Sequence, residues 1–174
     1  MSVEEREQRA RQLFREGYNC FQSVVLAFSD VIEERTGIGL AQLEALSSGF
    51  GGGYGRLREV CGSVSGLTFL AGALLPAPPA AGASAAQGLK KRAANYALVQ
   101  EFANAFREQN GSIVCRELLG IRATQKESPV PSERTAEFYK VRPCERLIGC
   151  AARIAAQKLE DQEFLKTPEE PGAI

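Results

Sequence analysis

Histidine is missing from the 174 residues of this chain. That absence removes the ordinary proton shuttle near neutral pH, and with it the imidazole ligand on which many metal and haem sites depend. It also excludes any triad built on a nucleophile and a histidine. Net charge is missing too, since 21 lysines and arginines balance 21 aspartates and glutamates. Nucleic-acid binding needs a clustered positive surface, and the triplet Lys90-Lys91-Arg92 reads as a solvated helix face. A nucleic-acid partner is therefore not expected.

A long apolar run is lacking as well. Residues 60–89 carry no charge, but their apolar part stops at Pro76 and is broken by Gly62, Ser63, Ser65, Gly66 and Gly72. A bilayer crossing needs about 20 apolar residues, so the segment reads as a buried core helix and no membrane span is expected. The opening Ser2-Val3-Glu4-Glu5-Arg6-Glu7 is charged and has no apolar signal-peptide core, which predicts a cytoplasmic protein. Persistent structural disulfides are rare in that compartment.

What the chain does have is thiols: Cys20, Cys61, Cys115, Cys144 and Cys150. The odd count leaves at least one outside any full set of intrachain pairs, and no Cys-x-x-Cys occurs, so neither a zinc ribbon nor a thioredoxin-type motif is present. Any shared site must be assembled by the fold from distant segments.

Helical periodicity runs almost throughout, and the expected fold is all-α: a single-domain bundle over residues 1–165, with 166–174 a disordered tail. Ser2 with Glu5 makes a capping box for a first helix that Gly17 stops. Asn19 caps a second helix predicted to run to about Thr36, with Cys20, Val24, Ala27, Phe28 and Val31 on one face. A short helix follows at Leu40–Leu46. Gly49, Gly51, Gly52, Gly53 and Gly55 form a tight loop before a helix over about Glu59–Leu75, where Gly62 and Gly66 allow another backbone to approach. Pro76–Gly88 reads as a low-complexity Pro/Ala/Gly connection. A long helix is expected from about Leu89 to Gln109, with Tyr96, Val99, Phe102, Ala103 and Phe106 inward. Ser112 caps a short helix carrying Cys115, and residues 121–132 read as loop. Another short helix includes Phe138 and Tyr139. Pro143 opens a final helix whose stripe is Cys144, Leu147, Ile148, Ala151, Ala155 and Leu159.

On this reading Cys20, Cys61, Cys115 and Cys144 all occupy first turns of helices. Unpaired N–H groups and the helix dipole favour thiolate there, the form that attacks disulfides and binds metals. The alternative is that each is a small buried hydrophobe, the reading preferred for Cys150. The glycine loop also has two readings. Gly51, Gly52 and Gly53, with Gly62 beyond, could present backbone to an anionic cofactor. No nucleotide fingerprint accompanies them, so a turn that brings Cys61 against another helix is preferred.

The run Gly17-Tyr18-Asn19-Cys20-Phe21-Gln22-Ser23-Val24, then Gly49-Phe50-Gly51-Gly52-Gly53, then Cys61-Gly62-Ser63-Val64-Ser65-Gly66 resembles the C_GCAxxG_C_C family. Gly111–Gly120 around Cys115 is similar to its third cysteine motif, and Cys144 with Leu147, Ile148, Ala151 and Ala152 to its fourth. The resemblance covers roughly residues 10–160. It implies a small helical protein whose four motif cysteines, Cys20, Cys61, Cys115 and Cys144, act in redox chemistry or in metal or iron–sulfur binding. Ser63 stands where the motif has alanine, and Cys150 is additional. Haem is not expected, because neither a Cys-x-x-Cys-His site nor any histidine is present.

Three functions remain open at this point. The first is a thiol-dependent oxidoreductase that cycles these cysteines against an unidentified redox partner or small molecule. The second is a binding protein in which the same four cysteines ligate zinc or an iron–sulfur cluster. The third is a non-catalytic module that associates, as a homo-oligomer for instance, through the small-residue helix at 62–73. The first two share a site around Cys61 and the glycine loop.

Overall fold

The structure is a computed structural model describing residues 1–75, 84–122, 125 and 127–161. It contains α1 (Val3–Arg15), α2 (Cys20–Leu26), α3 (Ser29–Thr36), α4 (Leu40–Leu46), α5 (Gly62–Leu74), α6 (Ala85–Asn110), α7 (Cys115–Leu118), α8 (Ala136–Val141) and α9 (Cys144–Asp161), with one 3₁₀ turn at Ser48–Phe50. The described residues are all-α, with no strand; a lone antiparallel bridge joins Val60 to Val114. No helix among them is long and apolar enough to cross a membrane. Residues 76–83 of the Pro/Ala/Gly connection and the expected tail at 166–174 lie outside the described residues.

The capping box forms: Glu5 N–H donates to Ser2 Oγ and Ser2 N–H to the Glu5 carboxylate. Gly17 follows α1 at φ 109°, in the left-handed region that favours glycine. The apolar stripe of α9 then packs along α1 and against α5, burying Leu147, Ile148, Ala151, Ala155 and Leu159. The helix α5 lies against α2 at close range, because Gly62 and Gly66 present no side chain there. A Cβ on Gly66 would fall 2.9 Å from Val24 Cβ.

The second helix is interrupted where one continuous helix was expected. Arg6, only 4% exposed, donates from Nη1 to the Ala27 carbonyl at 2.6 Å and clasps Asp30 through both terminal nitrogens at 2.5 and 2.7 Å. It also lies 4.9 Å from the Phe28 ring centre. A carbonyl captured in this way does not accept from the next helical turn, so the chain breaks at Ala27–Phe28 and restarts as α3.

Two further boundaries move. Ser84 caps α6 by accepting from Gln87 N–H, so alanine-rich residues expected in the connection join the helix. On α6 itself Phe102 and Phe106 are buried as expected, but Tyr96 is 59% exposed and Leu98 is buried instead. The reason is that, among the described residues, α6 packs chiefly against α5 and α9.

Candidate functional site

Asn19 sets the position of Cys20, the first residue of α2. Its side chain accepts from the N–H groups of Phe21 and Gln22, each at 3.0 Å, while its amide donates to the carbonyls of Ser47 and Ser48. The start of α2 is thereby tied to the entrance of the glycine loop. That loop closes on itself: the carbonyls of Gly49, Gly51, Gly52 and Gly53 accept from the N–H groups of Gly55, Arg56, Arg58 and Glu59. Three of its residues with side chains, Tyr54, Arg56 and Arg58, hold φ of 60°, 71° and 61°. Each such conformation costs about 1–3 kcal/mol and needs surrounding contacts to hold it.

Beyond the loop the bridge takes over. Cys61 N–H donates to the Ile113 carbonyl at 2.8 Å, and Cys115 N–H to the Glu59 carbonyl at 2.6 Å. Side chains alternate along extended backbone, so Cys61 and Cys115 share the face opposite Val60 and Val114. They are diagonal neighbours, a relation that spans roughly 7–8 Å. Cys61 is the N-cap of α5 rather than a first-turn residue, and α7 starts behind Val114 rather than Ser112. Cys144 is the first residue of α9.

All four motif cysteines line one cavity of about 410 Å³. Gly51 and Gly52 line it too, whereas Gly53 and Gly62 lie packed beneath the sulfurs. A Cβ on Gly53 would sit 2.9 Å from Cys115 Cβ, and one on Gly62 would collide with Cys20 Sγ. These glycines therefore serve the close approach of thiols and backbone. Cys150 does not line the cavity; its sulfur contacts Asn110 Nδ2 at 3.2 Å and Gln109 Oε1 at 3.4 Å.

The sequence reasoning missed the charges. Arg56, Arg58, Arg134 and Arg142 line the cavity, and no acidic side chain among the described residues does. Three of the four are committed. Arg134 donates to the Phe14 and Tyr18 carbonyls. Arg56 and Arg58 share Glu127, and Arg58 also brings Nη1 to 4.0 Å from Cys115 Sγ. The Arg58 hydrogen bond holds the Glu127 carboxyl below the ordinary range. Only Arg142, next to Pro143-Cys144, carried a positional hint in the sequence.

At Cys61, Cys115 and Cys144 burial reverses the expected thiolate bias. It raises the Cys61 thiol strongly, with the nearby Cys20 adding to the effect, while the N–H of Ser63 opposes it. Burial and Cys20 also raise Cys115, against Arg58 and Arg142. Cys144 is pushed up to about 12 by burial, Cys20 and Cys115, again against Arg142 and Arg58. Desolvation of a thiolate outweighs a helix N-terminus when the sulfur lies this deep. A stability effect follows. Unfolded thiols ionise near the ordinary 9.0, so above that pH the unfolded chain holds fewer protons than the native one. Stability should be constant through neutral pH and decline between about 9 and 12. Urea denaturation across that range, compared with a Cys144→Ala variant, checks it: the decline should be shallower in the variant.

Zinc and iron–sulfur clusters require converging thiolates. Among the described residues no three Cys, Asp or Glu side chains converge closely enough to hold a metal ion, and all five cysteines are free thiols. The four sulfurs share a cavity without forming a ligand set, so a four-cysteine metal centre does not fit this arrangement.

A family model described as "Putative redox-active protein (C_GCAxxG_C_C)" matches residues 18–158. No curated protein and no solved structure matches the chain.

Proposed function

Because the chain belongs to the C_GCAxxG_C_C family, described as redox-active, we propose that it acts by thiol–disulfide chemistry, with Cys20 and Cys61 as the cycling pair. One observation carries the pairing: Cys20 Sγ rests on Gly62, the residue that follows Cys61, at the floor of the cavity. Cys20 is the half-buried member, and Cys61 is buried. The accessible sulfur meets an external disulfide and forms a mixed disulfide. The buried sulfur then attacks Cys20 and releases the second half of the substrate. Thiolate is the attacking form; burial opposes it at Cys61 and the Ser63 N–H favours it.

Free-thiol counting by alkylation and mass spectrometry tests this across glutathione buffers from about −200 to −300 mV. Two of the five thiols should be lost together as the potential rises, and digestion should yield one linked peptide pair containing Cys20 and Cys61. Five alkylated cysteines at every potential would overturn the proposal.

A further inference from the structure

Among the described residues the cavity holds one cation that no ion pair engages. Among the described residues the Arg142 guanidinium makes no ion pair and no hydrogen bond, and it lies over the Phe138 ring at 5.4 Å from the centre. Glu127 feels its field but is already taken by Arg58 and Arg56. Its charge reaches Cys115 and Cys144, which line the same cavity. A second group is also unsatisfied. Ser63 Oγ is 1% exposed, lines the same cavity and has no hydrogen-bond partner. Buried polar atoms are rarely left in that state unless something else occupies the space. The walls between are apolar, from Leu118, Leu119, Pro129, Pro131 and Phe138, and the volume suits a small molecule.

We propose that the cavity binds a small organic disulfide bearing a carboxylate, with Arg142 holding the carboxylate and the disulfide lying toward Cys20, Cys61 and Ser63. The proposal rests on the thiol-redox reading above and adds the substrate class. Arginine suits a carboxylate because its planar donors match both oxygens. In the reaction Cys20 thiolate attacks one substrate sulfur, the S–S bond breaks, and one thiolate leaves. Cys61 thiolate next attacks the Cys20 sulfur and expels the second. The protein loses two electrons, the substrate gains two, and the two cysteine protons pass to the two released thiols. No further reductant is needed for one turnover.

The test uses three disulfides of similar length in single-turnover oxidation of the reduced full chain. They are 3,3′-dithiodipropionate (anionic), bis(2-hydroxyethyl) disulfide (neutral) and cystamine (cationic). The anion should react about tenfold faster than the neutral compound, and cystamine slowest, in line with one charge-assisted contact. Arg142→Gln should bring the anion-to-neutral ratio close to one, and Arg142→Lys should keep most of it. Reading the ratio cancels any effect of the charge on the thiols themselves. A wild-type ratio near one, or a ratio unchanged in Arg142→Gln, overturns this inference while leaving thiol chemistry intact. Failure of all three disulfides to oxidise the protein overturns the thiol-redox reading itself, and this inference with it.

Discussion

Protein carrying Cys20→Ser should not be oxidised by a small disulfide, its single-turnover rate falling by about 10³-fold or more. The reason lies in what the remaining sulfurs can do. Cys61 and Cys115 are pushed up by burial, and Cys144 to about 12. At pH 7 the Cys144 thiol is ionised in roughly one molecule in 10⁵, burial disfavours the thiolate at Cys61 and Cys115 in the same direction, and the thiolate is the nucleophile. None of them can substitute for Cys20, whose charge all three sense. Cys61→Ser should behave differently, with attack proceeding and then stalling, so that mass spectrometry finds one substrate half bound to Cys20. Cys150→Ser, altered outside the cavity, should react as the parent does. Oxidation of Cys20→Ser at the parental rate would remove Cys20 from its assigned place.

The second large effect concerns stability. Arg6→Ala should lower the unfolding free energy by about 3–5 kcal/mol, a large share of the 5–15 kcal/mol typical of a domain. Little of this comes from the charge attraction, because the Asp30 side chain is 57% exposed and solvent screens the pair. Most comes from the Ala27 carbonyl, which loses a buried donor, and from the space left against Phe28. Arg6→Met keeps the apolar stem and should recover part of the packing but none of the hydrogen bonding. Acid should narrow the difference between parent and Arg6→Ala. Burial raises the Asp30 carboxyl, but hydrogen bonds and charge from Arg6 outweigh it and hold it below its ordinary value. The stability this contributes is present above the unfolded-state value and is lost as pH falls through the folded one. Urea midpoints at neutral and acid pH measure both effects; a midpoint unchanged by Arg6→Ala at neutral pH would refute the account.

Arg6 also marks where sequence reasoning ended. The stripe of α9 and the capping box of α1 were legible, because each depends on residues three or four positions apart. The break between α2 and α3 was not, since the group that captures the Ala27 carbonyl lies 21 positions earlier. Tyr96 and Leu98 show the same limit on α6, where both are apolar and only the location of α5 and α9 decides between them. At the site, motif order and local glycines identified Cys20, Cys61, Cys115 and Cys144 as a group. Arg58 reaches Cys115 across 57 positions, and Glu127 returns to Arg58 across 69, so nothing local could reveal either. At Cys61, Cys115 and Cys144 the thiolate expectation failed for a related reason. Helix termini can be read from spacing, but depth of burial cannot.

Left-handed backbone at Tyr54, Arg56 and Arg58 sets a limit for anyone engineering a hardier version of this protein. Glycine at any of the three would relax the turn and is the obvious substitution for heat resistance. At two of them it would also discard the guanidinium groups that grip Glu127, one of which approaches Cys115. Tyr54, whose ring stacks edge-on to Phe50 and whose hydroxyl contacts Ser65, offers the least costly place to begin.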